Sequence, residues 1–156
     1  MLEYQYGRGR LTLTSADPRA QPRIENRFCE DERDLDRLVG CFEDTLAFAD
    51  AEPLADMIES VAFPDLSRGI DKDTIRTLCR TRSASGYHPC GTAKMGPAED
   101  HGAVVDEFGR VHVLDNVVVA DASIMPGVPR ANTNLTSIMI GEMVGEWIRK
   151  EPARYS

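Results

Sequence analysis

The sequence contains no apolar run that approaches the ~18–20 residues needed to cross a membrane as a helix, so a membrane span is not expected. Met1–Tyr6 is too short and too polar for a targeting segment, and no secretory signal pattern is present. Basic residues are also scarce: 18 lysines and arginines stand against 26 acids and leave a net charge of −8. This charge argues against a nucleic-acid-binding protein, which would present a basic face.

The four cysteines lack the spacing of metal or redox motifs. No two form a C-x-x-C pair, and none stands with a histidine in a zinc-site pattern. Their even number permits two disulfides, but without a secretory segment we interpret them as reduced thiols of a cytoplasmic protein. One candidate function is a thiol- or metal-dependent enzyme built on His88 and Cys90. These two side chains alone do not complete a metal site. No metal is therefore expected.

Two further motifs are missing. Gly7-x-Gly9 starts like a dinucleotide-binding loop, but Thr12 occupies the place of the third glycine and the predicted strand follows the glycines. No G-x-S-x-G elbow is present, and Ser83 and Ser85 do not lie in a strand-to-helix turn, which argues against a Ser-His-Asp hydrolase.

The 42% hydrophobic content is enough to bury a core, and its periodicity predicts helices. An amphipathic helix is expected from Asp31 to about Ala51, with acids in its first turn and Pro53 after it. Further helices are predicted over Leu54–Val61, from Asp71 to about Ser83, and from Leu135 to about Lys150. The apolar positions of the first and last helices are Leu35, Leu38, Val39, Phe42, Leu46 and Ala49, and then Leu135, Ile138, Met139, Met143, Trp147 and Ile148.

Extended segments are predicted between these helices. Leu11–Thr14 alternates with period two, which indicates a strand with one buried face. Val104–Asp106 and Val111–Val113 are short extended pieces. The unbroken apolar run Val117–Ala120 is typical of a strand buried on both faces, as in a parallel sheet. It ends on Asp121-Ala122-Ser123, and ligands bind at the carboxyl ends of such strands.

Two polar stretches are candidates for chemistry. His88 precedes a proline in the glycine-rich stretch Gly86–Gly96, which places it in a loop, because the residue before proline is disfavoured in a helix. A single histidine is more often structural than catalytic, and His101 and His112 are interpreted as structural. Asn132-Thr133-Asn134 stands where a helix is capped, and the same positive helix end suits an anion or a flavin that gains electrons.

Taken in order, these stretches resemble the C-terminal part of the glucose–methanol–choline (GMC) oxidoreductases, closest to the choline dehydrogenase-like and alcohol dehydrogenase-like branch. The resemblance covers roughly residues 7 to 150 and includes Gly7–Leu13 and Ser15–Ile24 at the start of the family's substrate domain. The motifs that carry it are His88-Pro89-x-Gly91-Thr92-x-x-Met95-Gly96, Val118-Val119-Ala120-Asp121-Ala122-Ser123 and Asn132-Thr133-Asn134.

The resemblance implies FAD-dependent oxidation of a small-molecule alcohol to a carbonyl. His88 matches the histidine that takes the hydroxyl proton or orients the substrate oxygen, and Asn134 matches the second active-site position, which is His or Asn in the family. Asp121, Ala122 and Ser123 match the strand end that contacts the flavin. Asn132 and Thr133 match the turn that presents backbone groups to the flavin ring.

The same resemblance implies a mixed α+β or α/β fold that is only part of a GMC-type fold. Residues 1–85 correspond to a substrate-domain segment, and residues 86–156 to the active-site loop, last strand and C-terminal helix of the FAD-binding domain. The family's G-x-G-x-x-G segment is missing, so an N-terminal FAD-binding half or chain is the expected partner, and the isolated chain is expected to be inactive. The alternative is a non-catalytic fragment or interaction module that lacks the nucleotide-binding half.

Overall fold

The structure, a computed structural model, describes residues 4–66 and 69–156. The first half of the Met1–Tyr6 stretch therefore lies outside the described residues. The elements in chain order are β1 (Arg10–Thr12), β2 (Arg23–Glu25), α1 (Glu32–Ala49), α2 (Leu54–Met57), α3 (Lys72–Arg82) and α4 (Thr133–Lys150), with single 3-10 turns at Ala122–Ile124 and Pro152–Arg154. This mixture of helices and short strands confirms the predicted fold class.

The described chain divides into two compact units. The first extends from Tyr6 to Ala84, and the second comprises Ser85–Ser156 together with residues 4–5. The assignment of residues 1–85 to a substrate domain and of residues 86–156 to a cofactor domain stays a prediction.

Acidic side chains begin the two longer helices of the first unit. The Asp31 carboxylate accepts a hydrogen bond from the Arg33 backbone N–H at 3.0 Å, and the Asp71 carboxylate accepts one from the Thr74 N–H at 2.7 Å. These bonds satisfy N–H groups that have no partner inside a helix, and the negative charge also suits the helix dipole. Both helices therefore begin within one residue of the predicted position.

Helices α1 and α3 share the core of the first unit. Leu35 and Val39 of α1 pack with Ile75 and Cys79 of α3, and all four side chains are buried. The partly buried residues around this cluster are Cys29, Leu38, Phe42, Leu46 and Ile70. Most of the predicted apolar stripe of α1 is thus confirmed, because three- and four-residue steps place its members on one face.

A buried carboxylate fixes the chain before β1. Asp34 in α1 is buried, and it accepts hydrogen bonds from the backbone N–H groups of Tyr6 at 3.0 Å and Gly7 at 2.7 Å. The Arg37 guanidinium lies 3.8 Å from the same carboxylate. A buried charge is tolerated where donors and an opposite charge surround it, as they do here.

Strands β1 and β2 form an antiparallel pair in which Leu11 lies opposite Ile24. The prediction of one buried face for the first strand is wrong, since Leu11, Leu13 and Ile24 are all exposed. The physical reason is that the sheet has only two strands among the described residues, so neither face of the ribbon is covered.

Helix α2 is shorter than predicted. It ends at Met57, and Ile58 is already extended, so the prediction of a helix to Val61 is wrong. None of its residues is buried. A single turn without an apolar face against a core gains little from packing, which is the main source of stability for short helices.

The second unit has its own core. Val105, Ile124 and Met125 pack with Ile140 and Val144 of α4, and all five side chains are buried. Trp147 lies at the edge of this cluster and meets the Phe108 ring edge-on at 5.4 Å between centroids. The helix therefore holds the preceding loops and turns of this unit together.

The segment Val117–Ala120 does not form the predicted strand of a parallel sheet. Val118 bridges antiparallel to Arg110, and the Val119 N–H donates to the Gly109 carbonyl at 2.8 Å. Val117 is 40% exposed, so the segment is not buried on both faces. Its backbone partners lie in residues 109–111, on the other side of the intervening turn. Val111 in turn bridges antiparallel to Val105, and Val105 bridges parallel to Met95, so the described residues form isolated bridges here and no continuous strand.

The apolar stripe predicted for α4 lies largely on its exposed side. The buried apolar residues of this helix are Ile140 and Val144, whereas most of the predicted stripe is exposed, namely Leu135, Ile138, Met139, Met143 and Ile148. Gly145 also lies on an open side of the helix, because a Cβ atom there would meet nothing within 4 Å. None of the helices within residues 4–66 and 69–156 combines the length and the hydropathy that a membrane span requires.

Candidate active site

His88 lies in an irregular loop that ends against α4. The preceding residue, Tyr87, has a left-handed backbone with φ 65°, and its N–H donates to the Ser85 hydroxyl at 3.0 Å. His88 itself is half-buried. Its Nδ1 atom lies 3.2 Å from Oγ1 of Thr133, which is 8% exposed. The loop and the first residue of the helix are therefore joined through the imidazole.

The N-terminus of α4 is not closed by its capping side chain. Asn132 occupies the N-cap position, but its side chain makes no capping hydrogen bond, and the first turn carries no acid. Asn134 is the second residue of α4, and its side chain is exposed. The Asn132 side chain therefore does not cap the helix. No side-chain acceptor or acidic residue offsets the partial positive charge at this helix end.

The loop after His88 is bound to the 3-10 turn at Ala122–Ile124. Gly91 N–H donates to the Ala122 carbonyl at 3.2 Å, and Ala93 N–H donates to the Ser123 carbonyl at 2.9 Å. Gly91 has φ +81°, and a Cβ atom at this position would lie 3.2 Å from the Met125 carbonyl oxygen. Only glycine meets both conditions without strain, so Gly91 permits the close approach of the two segments.

Asp121 holds the 3-10 turn in shape. Its carboxylate accepts hydrogen bonds from the Ser123 hydroxyl at 2.6 Å and the Ser123 N–H at 2.8 Å. These bonds favour the charged form and hold the pKa of Asp121 below its ordinary value, against a smaller opposing effect of burial. The carboxylate is therefore occupied within its own turn.

The matched family model is that of the GMC oxidoreductases, in its C-terminal region, and the match extends over residues 5–141. The chain belongs to the GMC oxidoreductase family. The resemblance predicted from the motifs is thereby confirmed.

Similar sequences and structures agree with this membership. An uncharacterised GMC-type oxidoreductase of Mycobacterium tuberculosis is 40% identical over 91% of this chain, and an oxygen-dependent choline dehydrogenase of Cronobacter sakazakii is 38% identical over the same share. The structure of an FAD-dependent oxidoreductase from Chaetomium thermophilum superposes with a TM-score of 0.87 at 25% identity and covers 98% of the chain, and a formate oxidase gives 0.83 at 28% identity and 95%. The chain spans 27%, 25%, 26% and 26% of these four relatives, in that order.

Two sets of contacts involve predicted site residues of this GMC segment. His88 meets Thr133, and the turn at Asp121–Ser123 meets the loop after His88 through backbone hydrogen bonds. Within the part of the chain that the structure describes, no hydrogen bond links Asn134 to His88. The partnership of Thr133 with His88 was not predicted, and its separation of 45 residues leaves no periodic signal in the sequence.

The described residues of the GMC segment also contain no group of three or more His, Cys, Asp or Glu side chains placed to hold a metal ion.

Proposed function

We propose that this chain supplies the catalytic histidine and the flavin-facing helix end of an FAD-dependent GMC enzyme that oxidises an alcohol to a carbonyl. The observation that carries the proposal is the contact between His88 Nδ1 and Thr133 Oγ1 at the start of α4. It places one imidazole beside a helix N-terminus that lacks both a side-chain cap and an acid in its first turn. The activity of its relatives supports the same reaction class, since one is an oxygen-dependent choline dehydrogenase.

The proposal uses the Thr133 contact in one of its two possible directions, with His88 Nδ1–H as the donor. A neutral imidazole carries its proton on one ring nitrogen, and the hydrogen bond at the other nitrogen selects which one. When Nδ1–H donates to the Thr133 hydroxyl oxygen, Nε2 carries a lone pair. Nε2 is then the atom that takes the proton from the substrate hydroxyl, and a positioned base of this kind contributes about 10² to 10⁴ in rate.

Asn134 has a complementary role in this proposal. Its exposed side-chain amide stands in the first turn of α4 and donates a hydrogen bond to the substrate oxygen. As the hydroxyl proton leaves, negative charge develops on that oxygen, and a fixed donor stabilises it. The positive end of the α4 dipole also stabilises this negative charge.

The residues near His88 fit FAD as the cofactor. An uncapped helix N-terminus without an acid in its first turn suits a ring that becomes negatively charged, and Asn132 and Thr133 form this end. The Asp121–Ser123 turn is held rigid by its internal hydrogen bonds and by the loop after His88, as a surface for the flavin requires. When bound, FAD supplies the hydride acceptor.

A partner that carries the rest of the FAD site is part of the proposal. The exposed side of α4 carries apolar side chains, and Leu135 is 78% exposed. Contact of this apolar surface with water is unfavourable in free energy. An N-terminal FAD-binding half would cover this side and complete the cofactor site. The relatives support this arrangement, because the chain corresponds to about a quarter of their length.

The test is a chimera in which this chain replaces the C-terminal part of the Mycobacterium tuberculosis relative. We expect the purified chimera to be yellow and to lose flavin absorbance anaerobically when choline or a primary alcohol is added. His88→Ala should slow this bleaching about 10² to 10⁴-fold while FAD stays bound. His101→Ala is the matched control, because His101 lies in an exposed turn of the same unit.

Unchanged bleaching in the His88→Ala chimera would exclude His88 as the base. A chimera that folds but holds no FAD would favour the alternative, a non-catalytic module. Retention of FAD without bleaching by any alcohol would leave the cofactor proposal in place and contradict the substrate class.

A further inference from the structure

Two cysteines of the first unit meet around one serine, and the proposed alcohol oxidation uses neither of them. The sulfur of Cys29 lies 3.4 Å from the hydroxyl oxygen of Ser83. The same hydroxyl donates a hydrogen bond to the carbonyl oxygen of Cys79 at 2.5 Å. A single oxygen atom therefore stands between the Cys29 sulfur and the backbone of Cys79.

Both cysteines also belong to one apolar cluster. Cys79 is a member of the buried core on α3, and Cys29 packs against that core from the loop before α1. Ser83 directly follows α3, and its hydroxyl returns to the carbonyl of Cys79 in the last turn of that helix. The face of α3 that carries Cys79 is thus the face on which Cys29 rests.

The two thiols differ in access. Cys29 is half-buried and sits in a loop where its backbone is left-handed, with φ 56°. Cys79 is buried, and burial raises the pKa of its thiol above the ordinary value. A small oxidant in solution therefore reaches the Cys29 sulfur first, and Cys79 stays protected as an uncharged thiol.

We propose that Cys29 and Cys79 form a peroxide-sensitive dithiol that closes into a disulfide. The Cys29 sulfur attacks hydrogen peroxide, the O–O bond breaks, and a sulfenic acid and one water are formed. The Cys79 sulfur then attacks the sulfenic sulfur and displaces a second water as the S–S bond forms. Two thiols and one peroxide thus yield one disulfide and two waters, with two electrons passed from sulfur to oxygen.

The other two cysteines are not the partners in this step. Cys41 lies outside the apolar cluster that contains Cys29 and Cys79. Cys90 packs against a different core, the one that contains Ile124 and Met125. Cys29 lies in the loop before α1 and Cys79 within α3, and disulfide geometry requires their Cα atoms to lie within about 7 Å.

Tryptic mapping tests the proposal directly on the full chain. Cleavage after lysine and arginine puts each cysteine in a separate peptide, and these peptides cover residues 28–33, 38–68, 77–80 and 83–94. The folded chain is treated with hydrogen peroxide, remaining thiols are alkylated, and the digest is analysed without reductant. We expect the 28–33 and 77–80 peptides to be joined, with a combined mass about 2 Da below their sum because two hydrogens leave.

Variants separate this pairing from random oxidation. The cross-link should persist in Cys41→Ser and Cys90→Ser and disappear in Cys29→Ser. In Cys29→Ser, Cys79 should remain fully alkylatable after unfolding, which shows that the buried thiol is not oxidised directly. Dithiothreitol should abolish the cross-link in the unmodified chain.

Three results would overturn the proposal. One is a 77–80 peptide joined to 38–68 or 83–94 in place of 28–33. Another is Cys29 oxidised to sulfinic acid while Cys79 remains a free thiol. The third is the same cross-link yield in folded and urea-unfolded chains, which would mean that the fold does not select this pair.

Discussion

His88 Nδ1 and Thr133 Oγ1 lie 3.2 Å apart, and this contact joins the loop that carries His88 to the first residue of α4. Thr133 is almost fully buried, so its hydroxyl offers a fixed partner and not a freely rotating surface group. The imidazole orientation therefore depends on a residue that the motif assigned to the flavin. Thr133 acts as a positioning residue for His88 in the proposed reaction.

Replacing Thr133 with valine should lower kcat in the chimera about 10-fold or more, since His88 loses the hydrogen bond that orients its ring in the proposed reaction. Valine keeps the volume and removes the hydroxyl. The acid limb of the kcat/KM pH profile should move, which a merely structural change would not produce. Thr133→Ser is the control: it restores the hydroxyl and should return most of the activity. Equal kcat values and pH profiles for Thr133→Val and the parent would contradict this role.

Gly109→Ala should destabilise the second unit. Gly109 has φ +78°, and a Cβ atom there would lie 2.5 Å from the Val119 carbonyl oxygen, which is a steric clash. We expect the free energy of unfolding in urea to fall by about 1–3 kcal/mol. Gly145→Ala in α4 is the matched control, because its Cβ would meet nothing within 4 Å, and it should gain about 0.5–1 kcal/mol. A neutral Gly109→Ala would show that the turn relaxes without cost.

The limits of α1 and α3 could be predicted because their start signals are local. Asp31 and Asp71 each precede a periodic apolar pattern, and each makes its capping bond within three residues. The face of α4 could not be predicted in the same way. Ile140 and Val144 are buried by residues more than ten positions earlier, such as Ile124. The helix has apolar side chains on two sides, and apolar periodicity alone does not predict which side packs against those residues.

The candidate site shows the same division. His88 and Asn132–Asn134 could be recognised from their local motifs, but Thr133 as the partner of His88 could not, since the contact depends on how the loop returns to the helix. The constraint on Gly91 also comes from a distant carbonyl, that of Met125. Asp34 was predicted only as an acid of a first helical turn, yet it is buried against the Tyr6 and Gly7 backbone.

Asp31 should make the stability of the first unit depend on pH in the acid range. The hydrogen bond from the Arg33 guanidinium lowers the pKa of the Asp31 carboxyl from 3.8 to about 2. A carboxyl with a lowered pKa stabilises the fold above its unfolded pKa, and this contribution is lost as the pH falls towards the folded value. We therefore expect the contribution to be present above about pH 4 and absent below about pH 2.

The Asp31→Asn variant isolates this effect, since asparagine still caps a helix but carries no charge. The Tm of the variant should lie below that of the parent at pH 5, and the difference should shrink as the pH approaches about 2. Thermal melts followed by circular dichroism across this range provide the measurement. A Tm difference that stays constant with pH would mean that the Arg33 interaction does not lower the pKa of Asp31.

Leu35→Ala should produce the largest loss of stability in the first unit. Leu35 is fully buried between α1 and α3, so truncation removes its transfer free energy and leaves a cavity, together about 2–5 kcal/mol. Phe48→Ala in the same helix is the control: its ring is 71% exposed, and its loss should change stability by about 0.5 kcal/mol or less.

Because the chain has two units, the effect of Leu35→Ala should be measured by hydrogen exchange of the α1 and α4 amides separately, at increasing urea concentrations. A loss confined to α1 amides would show that the units unfold independently, whereas equal losses in both would show one cooperative fold. No loss in α1 would contradict the assignment of Leu35 to the core.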